Sequence, residues 1–195
     1  MRVVAGELRG RRLSAAPGRE TRPTSERARA GLFDWLGPRV GGARVLDLFA
    51  GTGALGIEAL SRGASDAVFV ERSRGALRVL RKNLADLELE TRARVVERDL
   101  ARGLGSHVLE RGRFDVVFAD PPYEGEWLAR LLACETLATV LNDDAVVITE
   151  RSQRSAASQG GPVLRLYGSK RYGETAFDWY ERAAEAAGDE GRVEA

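Results

Sequence analysis

The chain has 195 residues, 44% of them hydrophobic and 30% charged, with a formal net charge of +1. That length and apolar share suit one soluble α/β domain with a sizeable core. One cysteine, Cys134, excludes an internal disulfide and fits a reducing cytoplasm. No apolar run approaches membrane-spanning length and the N-terminus lacks the apolar centre of a signal peptide, so a cytoplasmic protein with no membrane partner is expected. With one histidine, His107, there is no His/Cys metal cluster and no Ser-His-Asp set. Chemistry here must come from carboxylates, backbone dipoles and positioning.

Charge is uneven along the chain. Residues 1–30 carry eight arginines against three glutamates, a local net of +5. Arg9-Gly10-Arg11-Arg12 and the stretch Arg19 to Arg22 are broken by glycine, proline and serine, which reads as an extended arm or small ribbon over residues 1–24. Guanidinium forks bind phosphate bidentately and stack on bases. Arg9, Arg11, Arg12 and Arg22 are therefore candidate nucleic-acid contacts, against the plainer alternative of a solvated face. Pro23-Thr24-Ser25-Glu26 opens a helix that Thr24 can cap, with Ala28, Leu32, Phe33 and Leu36 at helical spacing until Gly37-Pro38 stops it.

Ala43 to Phe49 reads as a buried strand. The glycines at 51, 53 and 56 follow, then a helical stretch from Ile57 to Arg62 closed by Gly63 in a left-handed position. The three glycines fit the dinucleotide pattern G-x-G-x-x-G, weak by itself, which lets a ligand approach N–H groups at a helix start. The next strand, Ala67 to Val70, ends at Glu71, where a carboxylate can accept both ribose hydroxyls of an adenosine. NAD and S-adenosylmethionine both carry one. Asp47, just before the glycines, would repel a pyrophosphate but hold a cationic amino group. Phe49, Gly51 and Gly53 complete that side of the pocket. Ser73 to Leu84 forms a second crossover helix, and a third strand from Arg94 to Arg98 ends at Asp99-Leu100, set to accept from an adenine amine and cover its ring. These features favour S-adenosylmethionine.

The most specific local signal comes next. Phe114 to Ala119 is a β-rich run that stops at Asp120-Pro121-Pro122-Tyr123. Proline lacks an N–H and fixes φ, so neither residue extends the ladder. What remains is a stiff loop with one carboxylate, a free proline carbonyl and an aromatic ring. Two acceptors beside a flat ring suit a planar group bearing an amine. The bland alternative is a rigid turn with a packed tyrosine. Trp127 to Leu141 then reads as one helix with Cys134 a small core residue, and Ala145 to Thr149 as the fifth strand. Val163 to Tyr167 and Thr175 to Tyr180 flank Gly168 to Gly173 as a hairpin, with Lys170 and Arg171 in its loop, so a mostly parallel sheet ends in an antiparallel element. Residues 183–195 read as a frayed tail.

Together these motifs resemble bacterial methyltransferases that modify a guanine N2 in 16S ribosomal RNA, the RsmD type. The resemblance runs from Arg2 to about Arg182. It rests on Arg2-Val3-Val4-Ala5-Gly6, Arg22-Pro23-Thr24, Leu46 to Ala64 with its trailing Glu58-Ala59-Leu60-Ser61-Arg62-Gly63, Asp120-Pro121-Pro122-Tyr123 and Tyr172-Gly173. Two departures are mild: Thr52 is often serine in that family, and Ala5 often glycine. The resemblance implies a Rossmann-like class I S-adenosylmethionine-dependent methyltransferase fold over residues 25–182, with seven strands in the order 3-2-1-4-5-7-6 and helices on both faces. It also implies S-adenosylmethionine as cofactor without a metal, and 16S rRNA in the small subunit or an assembly intermediate as partner of a monomer. The expected catalytic residues are Asp120, Pro121 and Tyr123. Cofactor contacts are expected from Asp47, Phe49, Gly51, Gly53, Glu71, Asp99 and Leu100, and substrate contacts from Arg9, Arg11, Arg12, Arg22, Pro122, Tyr123 and Arg171. Competing readings are amino-methylation of another RNA, of DNA adenine or of a protein glutamine, an NAD-dependent oxidoreductase, and a non-catalytic RNA-binding protein.

Overall fold

The computed structural model describes residues 1–15, 25–121 and 127–183. Among these, seven strands form one sheet: β1 (Arg44–Leu48), β2 (Asp66–Glu71), β3 (Ala93–Glu97), β4 (Phe114–Ala119), β5 (Leu141–Ser152), β6 (Leu164–Tyr172) and β7 (Thr175–Arg182). The helices are α1 (Glu26–Leu36), α2 (Ala54–Ser61), α3 (Arg74–Asp86), α4 (Ser106–Leu109), α5 (Trp127–Leu132) and α6 (Glu135–Thr139). Strand order is β3-β2-β1-β4-β5-β7-β6, the order the family resemblance implies. The first five strands in that order are parallel, and β7 is antiparallel to both β5 and β6.

The parallel strands are apolar on both faces because helices cover both. On one face, Val45, Phe69, Phe118 and Ile148 pack with α1, α2 and α3. On the other, Leu46, Val68, Val117 and Val147 pack with Val108 of α4, Leu132 of α5 and Leu137 of α6. Local chemistry sets most helix ends. Ser25 caps α1 by accepting from the Ala28 N–H at 3.1 Å, whereas Thr24, the expected cap, lies outside the described residues. Ser73 caps α3. Gly63, at φ 99°, follows α2 in the left-handed conformation its sequence position predicts.

Two expectations are corrected. The single helix over 127–141 is two short helices, because Cys134 takes an extended conformation (φ −81°, ψ 95°) as the N-cap of α6, and Leu141 already begins β5 opposite Phe114. Helical periodicity carries through the break because both pieces bury the same face. Gly168 to Tyr172 is not a loop: it belongs to β6, and Tyr172 pairs with Thr175, leaving only Gly173 and Glu174 to turn. A register shift near Gly168, whose Cβ would lie 2.3 Å from the Trp179 indole, lets a glycine sit inside the strand. Lys170 and Arg171 are therefore strand residues.

Residues 1–15 form a small antiparallel ribbon. Arg2 pairs with Arg12, and the Val3 N–H donates to the Arg11 carbonyl at 3.0 Å. Val3 and Leu13 are buried in the α1–α3 side of the core. The ribbon's own amides are held by α2. Glu58 accepts from the Val4 N–H at 2.8 Å and the Ala5 N–H at 3.0 Å, and the Ser61 hydroxyl bonds both the Ala5 carbonyl and the Leu8 N–H. Approach is so close at Gly6 that a Cβ would sit 1.8 Å from the Ser61 carbonyl oxygen.

Candidate active site

Because β1 to β5 are parallel, their carboxyl ends share one rim. β6 ends and β7 begins beside Ser152 at the end of β5, so the Gly173-Glu174 turn rises on the same rim. Sheet order then sets the sequence of side chains along it: Asp99 after β3, Glu71 on β2, Asp47 on β1, Asp120 after β4, Glu150 on β5, and Arg171 near the end of β6. Open α/β sheets bind ligands at this end, where strand order reverses between β1 and β4.

The glycine loop connects β1 to α2. Phe49 closes β1 with φ 60°, a left-handed conformation that costs a non-glycine residue about 1–3 kcal/mol and is held by its surroundings. Its ring meets Trp127 edge-on at 5.2 Å. The glycines divide their work. A Cβ on Gly53 would lie 2.4 Å from Leu80 Cδ1, and one on Gly56 would lie 2.3 Å from Phe69 Cε1, so these two let α2 close onto the sheet and α3. A Cβ on Gly51 would meet nothing closer than 3.9 Å, so this glycine faces open space that a ligand can occupy.

Four carboxylates frame that space with different commitments. Asp47, 3% exposed, accepts from the Gly56 N–H at 3.0 Å, yet burial drives its carboxyl up to about 7, against the pull of that N–H and with help from the Glu71 charge. Glu71, 7% exposed, accepts from the backbone N–H groups of Gly51 at 2.9 Å, Arg72 at 2.8 Å and Ser73 at 2.7 Å. It ties the glycine loop to the start of α3, and each oxygen still offers lone-pair capacity. Asp99 accepts from the Ala101 N–H at 3.0 Å, capping a short 3-10 turn that contains half-buried Leu100. That N–H, chiefly, holds the Asp99 carboxyl below the usual range, and Arg72 at 3.4 Å adds to the effect. Arg72, Ser73, Arg98 and Asp99 line a shallow cleft at this end of the rim.

Asp120 is different. Burial first, then the charges of Glu150 and Asp47, push its carboxyl up to about 8. No hydrogen bond reaches it from the described residues. Pro121 follows, half-buried. Pro122, Tyr123 and Arg22 lie outside the described residues. Among the described residues no group of His, Cys, Asp or Glu is arranged to hold a metal ion.

The expected basic contacts fall in two places. Arg9, Arg11 and Arg12 are exposed on the ribbon, with Arg11 donating to the Asp86 carbonyl at 2.6 Å. Arg171 is exposed at the hairpin end of the rim. Three polar residues that sequence reading passed over connect these parts. Glu58 and Asn83 are each 1% exposed. Asn83 accepts from the Ser14 N–H at 2.8 Å and donates to the Thr52 carbonyl at 3.0 Å, joining the ribbon to the glycine loop. Glu150 lies one residue beyond the expected end of the fifth strand. For Glu58 the available signal was a charged side chain inside the otherwise apolar run of α2, which demands a buried partner; Asn83 beside Lys82 and Glu150 beside Arg151 carried no such signal.

A second hollow lies at the opposite, amino-terminal end of the strands, near Arg39, Asp115, Asp143 and Tyr167. It lies away from the rim carboxylates and from the glycine loop of residues 51–56.

Comparison with known proteins agrees with this arrangement. A family model described as Conserved hypothetical protein 95 matches residues 1–181. The protein YlbH of Bacillus subtilis strain 168 is 36% identical over 182 residues, 93% of this chain and 99% of YlbH. Ribosomal RNA small subunit methyltransferase D of Escherichia coli strain K12 is 34% identical over 190 residues, 97% of this chain and 93% of that protein. Among solved structures, a hypothetical protein of Thermus thermophilus superposes with a TM-score of 0.77 at 33% identity, covering 93% of this chain and 99% of that one. The chain belongs to the Conserved hypothetical protein 95 family, alongside ribosomal RNA small subunit methyltransferase D.

Proposed function

We propose that this protein transfers a methyl group from S-adenosylmethionine to the exocyclic N2 of a guanine in 16S ribosomal RNA, presented by the small subunit or an assembly intermediate. The observation that carries the reading is Asp120 with Pro121 at the end of β4: a half-buried carboxylate with no donor among the described residues, beside Asp47 and the open face of Gly51. The name of the Escherichia coli relative supports the substrate class. A monomer acting in the cytoplasm fits this role.

The residues fit the cofactor's chemistry. Asp47 accepts one backbone N–H among the described residues and is stripped of water, so a cationic amino group beside it would favour its ionised form, whereas a pyrophosphate would be repelled, which speaks against NAD. Glu71 has lone pairs left for ribose hydroxyls, Asp99 can accept from the adenine amine, and Leu100 and Phe49 offer apolar cover. When bound, S-adenosylmethionine supplies a methyl group on a positively charged sulfur. The protein's task is to make a poor nucleophile reactive, since the lone pair of an aromatic amine is delocalised into the base. Asp120 and the Pro121 carbonyl accept its two N–H bonds, favouring a pyramidal nitrogen with its lone pair directed at the methyl group. Orientation and preorganised dipoles then supply most of the acceleration. In its ionised form, the one that accepts from the amine, Asp120 can take the proton the methylated nitrogen sheds. Tyr123 would stack on a base drawn out of the RNA.

Asp120→Ala is the test. Loss of one preorganised polar group at a reacting centre costs about 10²–10³ in rate, so turnover on small-subunit RNA should fall by that order while S-adenosylmethionine affinity stays within a few fold. Near-native turnover in a folded variant would reject the assignment. Mapping the modified nucleotide in RNA treated with the wild type checks the N2 position directly.

A further inference from the structure

Glu150 occupies a position that no role above uses. β4 and β5 run parallel with Ala119 opposite Thr149, so Asp120 and Glu150 are the next neighbours across the two strands. They share a face: Val116 and Phe118 on β4, and Val146 and Ile148 on β5, all point into the α1–α3 side of the core. Adjacent strands lie about 4.8 Å apart, which brings two carboxylates together at the rim. Glu150 is 7% exposed, and the Thr175 hydroxyl donates to its Oε1 at 3.2 Å, so β7 fixes its orientation.

Asp47 faces the Gly56 N–H, and Glu71 faces three backbone N–H groups. At the β4–β5 corner the acceptors are Asp120, Glu150 and the Pro121 carbonyl. An ionised carboxylate accepts and never donates. With Asp120 ionised as well as Glu150, the state reached above about pH 8 in the ligand-free protein and favoured when donors enter, the corner only accepts and so discriminates among bases. Guanine offers two adjacent donors there, N1–H and the N2 amine. Adenine and cytosine each place a ring-nitrogen acceptor beside their amine, which would face a carboxylate lone pair to lone pair.

We propose that Glu150 is the specificity residue, accepting the N1–H of the target guanine while Asp120 and Pro121 hold its amine; this rests on the amino-methylation reading above. Glu150 thereby rejects bases whose ring nitrogen is unprotonated. The Coulombic pressure that Glu150 places on Asp120 agrees with their proximity. Guanine relieves it by giving each carboxylate its own donor.

The test uses 2-aminopurine, which keeps the 2-amino group but has an acceptor at N1. Small-subunit RNA carrying either base at the mapped position is methylated by the wild-type protein and by Glu150→Gln. Wild type should favour guanine by about 10- to 100-fold in kcat/KM, the usual worth of one base-edge contact. Glu150→Gln, whose amide can donate to N1, should narrow that preference by about tenfold, losing rate on guanine and gaining it on 2-aminopurine. A purely structural role through Thr175 would lower both rates together, so an unchanged ratio overturns the proposal. Equal wild-type rates on the two bases overturn it without any variant. Wild-type methylation at a position other than a guanine N2 would instead sink the parent reading, and this one with it.

Discussion

Replacing Glu58 by alanine removes the hub that joins the ribbon to α2. Its carboxylate accepts from the Val4 N–H at 2.8 Å, the Ala5 N–H at 3.0 Å, Arg62 Nε at 2.9 Å and Arg29 Nε at 3.3 Å. Arg29 is 0% exposed, and among the described residues its other side-chain donors reach only the Arg2 carbonyl and the Met1 sulfur. Removing one partner of a buried ion pair strands the other charge and costs about 3–5 kcal/mol. The two ribbon amides add roughly 1 kcal/mol, because they can rehydrate once the ribbon loosens. We expect a loss of about 4–6 kcal/mol, a large part of a total that is typically about 5–15 kcal/mol. For a chain of this size, about 1 kcal/mol corresponds to roughly 2–4 °C in Tm, so the transition should drop by roughly 10–20 °C. Glu58→Gln keeps an acceptor for the amides but loses the charge, and should fall between. Thermal and urea unfolding of the variants, together with Arg29→Met/Glu58→Leu, provide the check. The double variant removes both charges at once and should recover much of the loss. If Glu58→Ala lies within about 1 kcal/mol of wild type, or the double variant is no better than the single, the buried-hub argument fails.

Three further outcomes are expected. Glu71→Gln should weaken S-adenosylmethionine binding by about 10-fold or more, the worth of a hydrogen bond to a charged group, while its amide oxygen still holds part of the loop; calorimetry showing wild-type affinity would remove Glu71 from the ribose. Replacing Arg9, Arg11 and Arg12 by alanine should lower RNA affinity and flatten its salt dependence by about 0.7 per lost phosphate contact. Cofactor affinity should hold, because the ribbon docks through Val3, Leu13 and its backbone; identical salt slopes would return these arginines to a solvated face. The third concerns pH. Folded Asp47 and Asp120 hold protons up to about 7 and about 8, whereas the unfolded carboxyls release them near 3.8. Between those limits the folded state binds more protons, so their contribution to stability is complete below about pH 4 and is lost as pH rises towards 8. Ligand-free Tm should therefore decline over that range more steeply in wild type than in Asp47→Asn/Asp120→Asn. Parallel profiles for the two proteins would contradict the raised affinities.

Much of the rim was legible from the chain alone. A strand that ends in two prolines, a glycine loop between a buried strand and a helix, and acidic residues at successive strand ends are local patterns. Each is written in neighbouring residues, because proline's missing N–H, glycine's free φ and the alternation of strand side chains act over a few positions. Long-range pairing was not legible. The break at Cys134 depends on Leu141 finding Phe114, and the length of β6 on Tyr172 finding Thr175, and neither partner is marked locally. Glu58 and Asn83 look like ordinary helix residues until the ribbon folds back, some fifty to seventy positions away in sequence, and gives them backbone groups to bind. Glu150 needed the β4–β5 register to become a neighbour of Asp120. The raised proton affinities of Asp47 and Asp120 exist only once helices and strands have excluded water from around them. Local sequence thus determined which groups this protein carries and on which elements. Tertiary packing alone decided which of them meet and how far each is stripped of water, because desolvation and cross-strand contact arise only between segments distant along the chain.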